Sequence, residues 1–202
     1  MNSIKPIELN WLDIQCGDII AVHSGKSLVA KGIVTHMKLW LKANGYDLDQ
    51  FPHIIHHIGR VVDVWGYMNV AEAIEKGVVV HPMLTAYTVK EWKERIIVLR
   101  RKSGYGEEQL KSLSKEMQRL AMIGSPYEFG NFWRHIVYFL NAKRKWYGGG
   151  KSDEAYYCSE LGAYGENFVY SGSFAHPERT NPMEVFLFEG YDIVYQCFDD
   201  SD

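Results

Sequence analysis

The sequence predicts an α+β fold, a mainly antiparallel sheet packed against helices. Runs rich in Ile and Val, of strand length and separated by turn residues, recur at 19–22, 53–66, 70–84 and 95–102. No connection between 53 and 102 is long enough for a regular crossover helix, so these strands return antiparallel. Beyond 106 the apolar period lengthens from two to nearly four, the mark of amphipathic helix. With 202 residues, 47% of them hydrophobic, the chain can bury one full core, and 1–202 reads as a single domain.

Each element has its own signal. Gly17-Asp18 is a tight-turn pair before IIAV, which reads as the first strand. Apolar residues at 28, 29, 33, 37, 40 and 41 predict helix within 27–45 despite Gly32, interrupted at Gly45. HIIHHIGRVVDVWG (53–66) is a strand; VAEAI and GVVVHPML supply a second and third, and RIIVLRRK (95–102) another. Leu110, Leu113, Met117, Leu120 and Ala121 fall on one stripe of a helix over 106–124 that stops at Gly124. A second helix is expected at 131–146, with Phe132, Ile136, Phe139 and Leu140 toward the core. The GGGKSD run (148–153) is a loop, and Asp153 caps or opens a helix at about 155–168. The tail, 185–198, reads as two strands about Gly190.

Composition removes several function classes. A net charge of −3 and a pI near 6.2 argue against a duplex nucleic acid partner. No apolar run reaches the eighteen residues of a membrane span, and no leader peptide is visible. As numbered the chain reads as cytoplasmic; removal of a leader before residue 1 would place it in the periplasm or outside the cell. Cys16, Cys158 and Cys197 have no metal-ligand spacing and cannot all pair within the chain, so neither a metal nor another cofactor is expected. Cys16 and Cys197 read as small buried hydrophobes.

Cys158 is different, because the start of a helix and a neighbouring imidazolium both favour thiolate over thiol. His56 and His57 lie in a predicted strand and point to opposite faces, so only one can address a cysteine across a cleft, and periodicity leaves the choice open. Glu72, fifteen positions beyond His57, lies in a segment that can return alongside the histidine strand and hold its ring. Asp63 is a poorer partner because it sits six residues along the same strand. His23, His36, His53, His81, His135 and His176 are expected to be structural.

The segments GDII (17–20), HHIGRVV (56–62), AEAIEKGVVV (71–80), GSPYEFGNF (124–132) and YYCSELG (156–162) together resemble the papain-like NlpC/P60 superfamily in its circularly permuted branch, that of the YiiX/YebB-like or DUF830-like hydrolases. The resemblance spans about 14–165. It implies a papain-like fold in which the histidine strand and acidic partner precede the cysteine helix. Matched residue by residue, it assigns the histidine to His57 rather than His56, the acid to Glu72 and the nucleophile to Cys158. Arg60 departs from the apolar residue usual in that strand, and 27–52 is an insertion placed to rebuild one wall of the groove.

The function implied is a cysteine hydrolase that cleaves an amide bond, in cell-wall peptides as an amidase or endopeptidase; the alternative is a lipid or acyl ester/amide hydrolase or acyltransferase. Tyr127, Phe129, Phe132, Trp133, Tyr156 and Tyr157 are candidates for an acyl groove or for ordinary core. The rival expectation is a binding protein that keeps the fold with an inert Cys158. The expected partner is a small peptide, a peptidoglycan fragment or an acyl lipid.

Overall fold

A computed structural model describes residues 13–86, 95–126 and 156–196. Among these residues six strands form one sheet: β1 (Ile19–Val22), β2 (His57–Val64), β3 (Tyr67–Ile74), β4 (Gly77–Pro82), β5 (Ile96–Arg101) and β6 (Tyr191–Gln196). Their order is β4-β3-β2-β1-β5-β6, and every neighbouring pair is antiparallel. The helices are α1 (Leu28–Ala43), α2 (Met83–Ala86), α3 (Glu107–Met122), α4 (Cys158–Val169) and α5 (Pro182–Phe186). This is the expected α+β arrangement. Among the described residues, no helix is long and apolar enough to cross a membrane.

Two hairpins set the register of the central strands. Trp65 and Gly66, at φ 55° and 83°, are the two central residues of the β2–β3 turn, the left-handed pair that matches strand twist. That turn places Gly59 directly opposite Glu72. The β3–β4 turn at Glu75-Lys76 places Glu72 opposite Val79. His57, Gly59, Glu72, Val79 and His81 therefore share one face of the sheet, by the alternation of strand side chains.

The opposite face carries the main core. Ile19, Ala21, Ile58 and Leu99 pack against Met37 and Leu41 of α1 and Ala163 of α4. Val62, Ala71 and Val78 pack against Leu113, Met117 and Leu120 of α3 and Leu161 of α4. Helix α4 approaches β2 through two glycines: a Cβ on Gly162 would stand 2.8 Å from Ile58 Cγ2, and one on Gly165 3.2 Å from Arg60 Nε. At 25 cal/mol per Å², sealing the aliphatic side chains of this layer stabilises the fold by roughly 1.5–3 kcal/mol each.

Three sequence expectations are corrected. Strand β2 begins at His57, not 53: Ile54 and Ile55 are buried in the core, and His53 stacks on His23 with ring centroids 4.0 Å apart. Helix α4 begins at Cys158 rather than about 155, with Tyr157 in the cap position; Asp153 lies outside the described residues. Among the described residues the tail carries one strand, β6, because Asn181 accepts from Glu184 N, Glu184 Oε2 accepts from Asn181 N, and Pro182 opens a short helix where the first tail strand was expected. The helix expected at 131–146 lies outside the described residues.

Candidate active site

Cys158 is the first residue of α4, one turn ahead of the Gly162–Ile58 contact, and so lies at the end of β2 that His57 begins. Tyr157 fixes the approach to the helix. Its hydroxyl donates to Thr180 O at 3.1 Å, and its backbone N–H donates to Glu160 Oε2 at 3.4 Å. Tyr156 packs in the core with Val62, Ala71 and Leu120, so both tyrosines are buried structural residues and not groove lining. Tyr127, Phe129, Phe132 and Trp133 lie outside the described residues.

His57 Nε2 stands 2.5 Å from Glu72 Oε2. The register explains the contact. Glu72 faces Gly59, whose missing side chain leaves the carboxylate free to reach diagonally to His57, two residues along the same face. With Nε2 committed to Glu72, Nδ1 is the ring atom left for the thiol, and Cys158 is near enough to raise the pKa of this ring. Burial alone would lower the pKa of His57; the Cys158 charge and hydrogen bond, with those of Glu72, push it up to about 10. Burial would raise the pKa of Glu72, but hydrogen bonds from His57 and His81 hold it well below the usual carboxylate range.

The structure thus brings His57, Glu72 and Cys158 together and leaves His56 apart. The His56 ring lies beside Gly25, with Nε2 buried and unpartnered, and its pKa is lowered to about 4, first by burial and then by the charge of His57. Asp63, weighed as a weaker partner, accepts from Gly66 N in the hairpin turn at 2.8 Å. Cys16 is remote from the site, with Sγ 3.6 Å from Ser114 Oγ and its thiol pKa raised by burial. Cys197 lies outside the described residues.

No protein-family model matches the sequence, and no curated protein matches it. Solved structures do. The crystal structure of the metalloprotein YiiX from Escherichia coli O157:H7 superposes with a TM-score of 0.58, covering 91% of this chain and 98% of that one. The fold is that of YiiX. Sequence identity over the match is 20%, so the likeness to YiiX is one of architecture. The coverage extends the similarity past 14–165 into the tail.

Two features of the site escaped the sequence. His81 Nε2 lies 2.6 Å from Glu72 Oε1, so the carboxylate is held on both oxygens. The signal was arithmetic: a two-residue turn at 75–76 sets 81 diagonal to 72. The other is Arg60, which is buried and donates to Gly162 O at 2.9 Å and Glu166 Oε2 at 3.2 Å, tying β2 to the cysteine helix. Its departure from an apolar residue has a partner in Glu166.

Proposed function

We propose that the chain is a cysteine-dependent hydrolase that cleaves an amide bond, with Cys158 as nucleophile, His57 as general base and acid, and Glu72 as the group that orients His57. The observation that carries this reading is one imidazole held between a helix-opening thiol and a buried carboxylate. His57 takes the thiol proton, Cys158 Sγ attacks the carbonyl carbon, and the proton passes to the leaving amine as the C–N bond breaks. Water, deprotonated by His57, then cleaves the thioester and releases the acid. The backbone N–H of Cys158 at the helix start is the natural donor to the oxyanion.

Of the two substrate classes we place a peptide ahead of a long acyl chain. A cavity of about 700 Å³ opens beyond the end of β1, whose last residue, Val22, pairs with His57. Its lining includes Lys31, Val34, Thr35 and Lys38 on α1, with Asp49 and Phe51. Two ammonium groups against the single Asp49 carboxylate suit a peptide bearing carboxylates, such as a cell-wall stem peptide. YiiX is described as a metalloprotein. Among the described residues of this chain, no group of three or more His, Cys, Asp or Glu side chains is placed to hold a metal.

Iodoacetamide alkylation of the native protein from about pH 5 to 9, with the modified residue located by peptide mass, tests the reading against the ordinary thiol value near 8.5. The expected result is fast, selective modification of Cys158, slowed about tenfold or more in His57→Ala. Modification no faster than in the unfolded chain would replace the hydrolase by a binding protein that keeps the fold.

A further inference from the structure

Glu72 is shared. It sits on the strand between β2 and β4, and its two oxygens reach diagonally in opposite directions, Oε2 to His57 and Oε1 to His81. Only 7% of the carboxylate's side-chain surface is exposed, against 31% for His81. An ionised carboxylate with a single donor can rotate about its terminal torsion and swap oxygens. One with both oxygens engaged by donors anchored on neighbouring strands cannot.

We infer that His81 is a positioning residue for this site. It donates from Nε2 to Glu72 Oε1, fixes the carboxylate plane, and thereby holds the His57 ring with Nδ1 toward Cys158. The inference rests on the hydrolase reading above for its consequence in catalysis, and on the hydrogen bonds alone for its structural content. Charge assistance makes both bonds to the carboxylate stronger than neutral ones, so each restrains the group substantially. His81 is remote from the thiol in this relay and reaches it only through Glu72 and His57, which separates it from the catalytic residues. Its partial exposure also marks it as a point where the solution can reach the relay.

The test compares wild type with His81→Phe, which removes the donor, and His81→Gln, which keeps an N–H near the Nε2 position. Two quantities are read: the ring N–H proton resonance of His57 in its hydrogen bond to Glu72, and the pH profile of Cys158 alkylation. His81→Phe is expected to shift or broaden the resonance and to slow alkylation about three- to tenfold with a displaced pH profile, while His81→Gln restores most of both. A resonance and a profile unchanged in His81→Phe would overturn the inference while leaving the hydrolase reading intact. Should Cys158 prove unreactive in wild type, the hydrolase reading fails, and the resonance still decides whether His81 orders Glu72: loss in His81→Phe with recovery in His81→Gln upholds it, and persistence overturns it.

Discussion

The Arg60 guanidinium meets the Glu166 carboxylate with Nη2 3.2 Å from Oε2, and both side chains are sealed from solvent. Glu166 also accepts from Tyr105 at 2.5 Å and Tyr191 at 2.6 Å, and pairs with Arg101. One buried ion pair thus joins the histidine strand, the cysteine helix, β5 and β6. Arg60→Met leaves Glu166 with a buried charge short of one partner, and we expect a loss of about 3–5 kcal/mol in urea unfolding. The double variant Arg60→Met with Glu166→Leu recovers a large part of that loss, because the charge itself is gone.

Helix approach controls the site in a second way. Gly162→Ala places a methyl 2.8 Å from Ile58 Cγ2, one turn after Cys158. We expect a cost of about 1–3 kcal/mol from overpacking and slower Cys158 alkylation. Adding Ile58→Ala removes the clash and restores part of the alkylation rate. Equal rates in wild type and Gly162→Ala would show that the helix absorbs the methyl without moving the thiol.

The His57 ring is raised from 6.5 to about 10, so its contribution to stability is complete below 6.5 and is lost as pH rises toward 10. Imidazole NMR should find this ring protonated at pH 8. In Glu72→Gln, which removes the carboxylate charge, its titration midpoint moves down. An unchanged midpoint would assign the raised value to Cys158 alone.

His23 and His56 behave in the opposite sense. Burial comes first in lowering His23 to about 3, helped by His53, His56 and Arg95, and His56 lies at about 4 with His57 charged beside it. Above pH 6.5 both are neutral whether folded or unfolded. Below 6.5 the unfolded chain takes up protons that the folded one refuses, so stability falls by up to about 1.4 kcal/mol per pH unit for each ring. Urea midpoints at pH 7 and pH 5 measure the slope, and His56→Leu is expected to flatten it.

The central sheet was legible because its signals are local: alternating Val and Ile, and turns at 65–66 and 75–76 that fix who faces whom. His57 and Glu72 followed from that nearness together with a resemblance to known hydrolases. What stayed hidden depends on distance or competition. Arg60 and Glu166 are 106 residues apart, so neither advertises the other. His81 is a lone histidine at a strand end, with no neighbour of its own to mark it. In the tail, the Asn181-Pro182 helix start overrode the strand propensity of the residues that follow.

The turn at Trp65-Gly66 has a consequence for the order in which the site comes into being. His57, Glu72 and His81 lie on three consecutive strands joined by two-residue turns, so the relay is encoded within one continuous meander. Cys158 follows it by more than a third of the chain. During synthesis from the N-terminus the imidazole and its carboxylate emerge first, and the thiol meets them only when α4 docks. A nascent or truncated chain that stops short of residue 158 carries His57, Glu72 and His81 without Cys158, and the four residues share one molecule only once synthesis has passed that position.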